Sequence, residues 1–249
     1  MEGFGCSPIK RVRELGLHSK KDNSSKNKPN NIISRMKINN INQHDPYLPA
    51  KAELPSILIG IMLGDGCLFR SSPTSNVRFE MSLGQKYEDF ALFIGTLFKE
   101  YISNPVKALE IKGKNKIYTN YRLKTKSLPM FVQYYEMFYE FDKDLNKIKK
   151  IIPINIGELM NPIILAYLIM TDGNFDKGRK RVRIYTNSYS KKEVEILAKA
   201  INTKFNIYVG VLHDRRNQWI LTIGAKNLDL LRDIVSKHFH NSMLYRIGL

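Results

Sequence analysis

The chain has 249 residues, 43% of them hydrophobic, enough for one large domain or two small ones with a real core. Its 40 Lys and Arg against 23 Asp and Glu leave a formal charge of +17, which would repel itself in a compact fold unless a polyanion shares the surface, and nucleic acid is the first candidate. Two widely spaced cysteines, five histidines without zinc-ligand spacing and no apolar run of membrane-span length argue against a disulfide framework, zinc chemistry and a membrane partner.

Residues 1–47 are basic and low in aromatics, and the stretch His18 to Asn31 has too few apolar side chains to offset the entropy of ordering. A flexible basic arm is expected there, with no targeting segment evident and the fold beginning near Leu48. Leu54 to Leu63 then run apolar almost without a break, with Pro55 near the helix start, until Gly64-Asp65-Gly66 ends the helix. Val77 to Leu83 alternate strictly, placing Val77, Phe79, Met81 and Leu83 on one strand face and Arg78, Glu80 and Ser82 on the other. Tyr87 to Ile102 reads as an amphipathic helix, Ala108 to Ile111 and Lys116 to Lys124 as a basic strand pair, and Leu128 to Phe141 as a closing helix. The aromatic group Phe131, Tyr134, Tyr135, Phe138 and Tyr139 belongs to that helix as packing.

After about a hundred residues the order recurs, a period too long for a solenoid and suited to a duplicated domain. Asn161 fits an N-cap, Pro162 the first helical position, and Ile163 to Met170 run apolar up to Thr171-Asp172-Gly173. Arg181 to Thr186 alternate as a strand, Lys191 to Phe205 is helical, Tyr208 to Leu212 and Gln218 to Ile223 are strands around a basic turn, and Leu228 to Phe239 is the last helix. The expected fold is α+β: two αββαββα repeats related by a pseudo-twofold axis, residues 48–153 and 154–249, whose apolar helices pack at the interface.

In that arrangement Asp65 and Asp172 meet at the C-terminal ends of the two apolar helices. Hard divalent cations such as Mg²⁺ take carboxylate oxygens and keep waters, so the pair could hold metal that activates water on a phosphodiester. The negative ends of the helix dipoles favour a cation at that place and disfavour an anion. Taken alone, Gly-Asp-Gly after an apolar helix is more often a C-cap and turn. Its recurrence at the matching point of a second copy, in a chain this basic, favours metal.

Leu58 to Gly66 and Leu165 to Gly173 resemble the two LAGLIDADG motifs of single-chain homing endonucleases, and the likeness extends from about Leu48 to the C-terminus. The resemblance implies metal binding at Asp65 and Asp172, with Gly64 and Thr171 before them in the ligand set, and Mg²⁺ as the divalent cation. The earlier Asp of the motif name is replaced here by Leu63 and Met170. Gly60 and Ala166 occupy adjacent rather than identical motif positions, which predicts asymmetric helix packing. Thr186 to Ser188 and the second motif are similar to a subgroup with a yeast mitochondrial intron-encoded endonuclease, whose two catalytic-site lysines match Lys150 and Arg246; the second is a departure. Arg keeps the charge but cannot easily lose a proton, so Arg246 would serve electrostatically. Gln85 and Asn187, each after a strand, are candidates for ordering solvent.

The family's antiparallel β-saddle lies in the DNA major groove, alternate side chains reaching bases and phosphates. Candidates are Arg70, Arg78, Lys114, Lys116, Arg122 and Lys124 in the first half, and Arg179, Arg181, Arg183, His213, Arg215, Arg216 and Gln218 in the second. Singly, each is a solvated basic or polar side chain; as two clusters at matching places they support DNA contact. The expected activity is a metal-dependent double-strand break in a long asymmetric DNA target, promoting intron mobility, by a monomer in an organelle, the mitochondrion first. The alternatives are an intron RNA maturase on the same fold, with RNA as partner, and a DNA-binding protein that has lost cutting.

Overall fold

The computed structural model describes residues 49–112, 117–215 and 218–249. The arm at 1–47 and the residues Lys114, Lys116 and Arg216 lie outside the described residues.

The two apolar runs form the helices α1 (Leu54–Leu63) and α5 (Pro162–Asp172), which pack directly on each other. Neither has a polar side: Ile57 to Leu63 and Ile164 to Thr171 are buried throughout. The expected N-cap at Asn161 is present; its Oδ1 accepts from the Ile164 amide at 3.0 Å. Its Nδ2 donates to Ser56 Oγ at 2.8 Å, so the cap of α5 is also tied to α1. Gly60 allows the close crossing, because a Cβ there would stand 2.7 Å from the Ile164 carbonyl oxygen and 2.8 Å from Tyr167 Cβ. A glycine facing a tyrosine is the asymmetric packing the motifs predict.

After α1 come β1 (Cys67–Arg70), β2 (Val77–Gly84), α2 (Glu88–Leu97), β3 (Lys107–Lys112), β4 (Ile117–Lys124) and α3 (Val132–Phe138). After α5 come β7 (Gly173–Asp176), β8 (Arg181–Tyr185), α6 (Lys191–Phe205), β9 (Gly210–His213), β10 (Trp219–Ile223) and α7 (Leu228–Val235). The order αββαββα therefore occurs twice. Each set of four strands forms an antiparallel sheet, with orders β1-β2-β4-β3 and β7-β8-β10-β9, so the second sheet repeats the topology of the first. In both, the strand following the motif helix starts within four residues of its Asp.

Alternation works as expected on β2: Val77, Phe79, Met81 and Leu83 are buried in the core, and Phe79 stacks on Phe98 at 4.9 Å between centroids. Burying each large apolar side chain of this kind contributes about 1.5–3 kcal/mol. On β8, Val182 and Ile184 point inward while Arg181, Arg183 and Tyr185 alternate with them.

The closing helix of the first half departs from expectation. It stops at Phe138, and Tyr139–Asp142 (β5) pairs with Lys147–Lys150 (β6) in a hairpin, Tyr139 opposite Lys150. The Leu68 amide donates to Tyr139 Oη at 3.0 Å, fastening the hairpin to β1. At its exit, Glu193 of α6 accepts from the Ile152 amide at 3.2 Å and pairs with Lys149 at 3.5 Å. A short helix, α4 (Ile156–Leu159), leads into α5. The chain ends in a 3-10 helix, Asn241–Ile247, beyond α7. Among the described residues no helix is long and apolar enough to cross a membrane.

Candidate active site

The ends of α1 and α5 interlock. A Cβ on Gly64 would run into Thr171 Oγ1 and Asp172 Oδ2, so the glycine is the gap into which the second motif's carboxylate fits. This places Asp172 beside Asp65. Asp172 as a residue is half-buried, but its Oδ2 is enclosed and, among the described residues, has no donor in good hydrogen-bond geometry, the nearby Thr171 hydroxyl being turned to its own helix. Burial first, and the Asp65 charge second, push the Asp172 carboxyl well above the usual carboxylate range, against the opposing pull of Lys150, Arg246 and the Thr171 side chain.

Those two cations approach from different elements. Lys150 Nζ, at the end of β6, donates to the carbonyls of Gly64 and Gly66 at 2.8 Å each. Arg246 is 8% exposed in the final 3-10 helix and donates through Nη1 to the Gly173 carbonyl. Its guanidinium carbon lies 5.1 Å from the Tyr87 ring centre and 5.9 Å from that of Tyr245. The structure thus brings Asp65, Asp172, Lys150 and Arg246 together.

Two crowded carboxylates, one of them carrying an enclosed oxygen with no well-placed donor among the described residues, suit a hard divalent cation, which would relieve both the repulsion and the burial. The Thr171 hydroxyl is turned back onto its own helix, donating to the Tyr167 and Leu168 carbonyls at 3.0 Å, which leaves its main-chain oxygen as the atom to offer. The Gly64 carbonyl already accepts from Lys150.

Gln85 and Asn187 occupy matching places after β2 and β8; Gln85 is exposed, and the enclosed Oδ1 of Asn187 has no donor among the described residues. Two positions beyond each stands a tyrosine that the sequence did not single out. Tyr189 donates to the Leu63 carbonyl at 3.0 Å, across the seam, and Tyr87 is the ring beneath Arg246.

On the outward face of the first sheet, Glu80 binds Arg78 Nε at 2.6 Å, Arg122 Nη2 at 2.7 Å and Lys124 Nζ at 3.5 Å. Burial alone would raise the Glu80 carboxyl, but the bonds from Arg122 and Arg78 outweigh it and hold it below its ordinary value. On the second sheet, Asp176 binds Arg183 and Arg181 and accepts from the Arg179 amide at 3.2 Å. The bond from Arg183, reinforced by Arg181, holds its carboxyl down at about 2. Part of each expected basic cluster is thus built around one acid: Glu80 shares the parity of Arg78 on β2, whereas Asp176 of β7 meets its arginines by lying opposite Arg181 of β8. Gln218 donates its amide to the Arg215 carbonyl at the turn before β10, and exposed Arg215 lies 3.5 Å from Asp214.

Arg70 and His213 stand apart from these clusters. Arg70 pairs with core-facing Val77 and reaches the Ser75 carbonyl at 3.0 Å, with its guanidinium 5.6 Å from the Tyr135 ring. His213 pairs with Trp219, on the face of β10 that carries buried Leu221 and Ile223, and meets that ring edge-on at 5.1 Å.

This fold is shared with a solved homing endonuclease. The chain belongs to the LAGLIDADG DNA endonuclease family, whose profile matches residues 55–231. It is 25% identical to the homing endonuclease I-WcaI bound to its DNA recognition sequence, with a TM-score of 0.70 over 80% of this chain and 86% of that one. Among curated proteins it is 28% identical to a probable intron-encoded endonuclease of Wickerhamomyces canadensis, covering 76% of this chain and 81% of the relative. It is 24% identical to the cytochrome b mRNA maturase bI2 of Saccharomyces cerevisiae over 89% of this chain, which spans only 53% of that protein.

Proposed function

We propose that this chain is a site-specific homing endonuclease that makes a double-strand break in a long asymmetric DNA target and so promotes mobility of its intron. The observation that carries the reading is the pair Asp65 and Asp172 at the interlocked helix ends, with an enclosed Asp172 oxygen and a cation bonded beside each carboxylate. Residues 48–153 and 154–249 act as two unequal repeats, which suits an asymmetric site.

Asp65 and Asp172, with the main-chain oxygens of Gly64 and Thr171, would hold Mg²⁺, which supplies Lewis acidity and water activation for phosphodiester hydrolysis. Lys150 and Arg246 offset the charge that develops on the phosphate, and Arg246 does so without exchanging a proton. Gln85 and Asn187 order solvent near the site. Arg78, Arg122 and Lys124 on one sheet, and Arg179, Arg181, Arg183, Arg215 and Gln218 on the other, contact the duplex. The protein acts as a monomer in an organelle, the mitochondrion first, in keeping with the intron-encoded relatives and with a composition rich in Lys, Asn and Ile.

The test is incubation with a library of intron-insertion sites, in Mg²⁺ and in EDTA. Double-strand breaks that require metal and vanish in Asp65→Asn and in Asp172→Asn are expected, with DNA binding retained; cutting that persists in both variants overturns the metal assignment. Metal-independent binding to structured intron RNA with no cutting would favour the maturase reading, which the likeness to the yeast maturase supports.

A further inference from the structure

We infer that Tyr87 and Tyr189 are reciprocal positioning residues: each steadies the catalytic set carried by the other half of the chain, so that each governs the cutting of one DNA strand. The inference rests on the endonuclease reading.

The two tyrosines hold equivalent places. Tyr87 follows Gln85 by two positions between β2 and α2, and Tyr189 follows Asn187 by two positions between β8 and α6. Both cross the seam. Tyr189, 4% exposed, donates its hydroxyl to the Leu63 carbonyl at 3.0 Å, with the Met62 carbonyl at 3.5 Å. These are the last carbonyls of α1, the group a helix leaves without internal partners, and Asp65 follows two residues later. Lys150 holds the next ones, Gly64 and Gly66, so the turn that aims Asp65 is fixed by Tyr189 on one side and Lys150 on the other.

Tyr87 acts through its ring and through a side-chain hydrogen bond to Tyr245, which also bonds Arg246. The Tyr87 face lies 5.1 Å from the guanidinium of Arg246, whose Nη1 donates to the Gly173 carbonyl directly after Asp172. Arg246 Nε has no hydrogen-bond partner among the described residues, so ring contacts with Tyr87 and Tyr245, a side-chain hydrogen bond with Tyr245 and the bond to Gly173 set its place. One tyrosine thus serves the Asp65–Lys150 set with a hydroxyl, and the other serves the Asp172–Arg246 set with a π face and a bond to Tyr245. Neither needs to touch DNA.

The experiment times each strand separately, with a duplex labelled on either strand and carrying a site the wild-type protein cuts, and with a supercoiled plasmid to detect nicking. Tyr189→Phe, which deletes only the hydroxyl, should slow one strand about 10- to 100-fold, the range for groups that orient a metal or catalytic ligand, and nicked circles should accumulate. Tyr87→Leu should slow the opposite strand, and Tyr87→Phe should recover the share due to the ring while losing the share carried by the hydroxyl's bond to Tyr245. Duplex affinity in EDTA should stay within about twofold for all three, since ΔΔG for untouched contacts is near zero. Equal slowing of both strands, slowing of the same strand by both variants, or a lower melting temperature at wild-type cutting rates would each overturn the inference while leaving the endonuclease reading intact. A wild-type protein that cuts no duplex would overturn that reading itself, and the inference with it.

Discussion

Lys150 and Arg246 bind equivalent atoms from unrelated elements: Lys150 donates to the carbonyl of Gly66 and Arg246 to that of Gly173, the glycines that follow the two motif aspartates. Lys150 arrives on a hairpin strand and Arg246 on a terminal 3-10 helix. The same charge is thus delivered to both halves of the seam, although the halves differ in how they deliver it.

Removing the charge without the stem tests this directly. Lys150→Met should lower single-turnover cleavage about 100-fold while duplex affinity changes little, because the lysine bonds the site's own backbone. Arg246→Lys should lose less, about tenfold, keeping the charge but not the planar contact with Tyr87 and Tyr245. Quenched-flow cleavage and binding in EDTA separate the two effects.

Gly64→Ala should destabilise the fold by about 1–3 kcal/mol, the cost of overfilling a packed interior, because the new methyl meets Thr171 and Asp172. Urea denaturation would read the loss, and cleavage should fall even in the fraction that folds, since the methyl displaces the Asp172 carboxylate.

The raised Asp172 carboxyl predicts a pH effect whose sign is reversed from that of most acids. The folded state binds this proton more tightly than the unfolded chain, so stability is full below the ordinary value of 3.8 and is lost as pH rises through the raised value. In EDTA the melting temperature should therefore fall with rising pH in that window, and Asp172→Asn should flatten the slope. Binding of Mg²⁺ should release protons, measurable by calorimetry in two buffers of different ionisation enthalpy.

Asp176 has the opposite sign. Held down to about 2 by Arg183 and Arg181, it contributes stability that is present above 3.8 and lost as pH falls through about 2. Asp176→Asn should remove that acid-limb dependence in urea midpoints measured from pH 2 to 5. It should also free two arginines, strengthening binding to unrelated DNA and steepening its salt dependence.

The features that lay open in the sequence are those with local causes. Leu54–Leu63 and Pro162–Asp172 are apolar on all sides and bounded by proline, an Asn cap and glycine, so the helices and their equivalence could be read directly. The hairpin at Tyr139–Lys150 could not: each strand is four residues long, Tyr139 to Phe141 continue the helical pattern, and the run Lys143 to Lys150 resembles a solvated charge cluster. What makes it a hairpin is partly tertiary, the Leu68 amide on Tyr139 and Glu193 at its exit. Strand parity likewise needed register. Arg70 falls on the core side because it lies opposite Val77, while His213 stays exposed opposite Trp219, pairings between strands that composition does not reveal.

The interlocking of Gly64 with Thr171 and Asp172 sets unequal tolerances across the molecule. The exposed edges of the sheets, where Arg179 and Arg215 meet solvent, can exchange side chains with little effect on the core, so target preference is free to drift. The helix seam has no such freedom, since any added atom there strikes the opposite motif. A lineage of such proteins would therefore change what it recognises far faster than how it cuts, and a designer would find the sheets permissive to randomisation and the seam nearly closed to it.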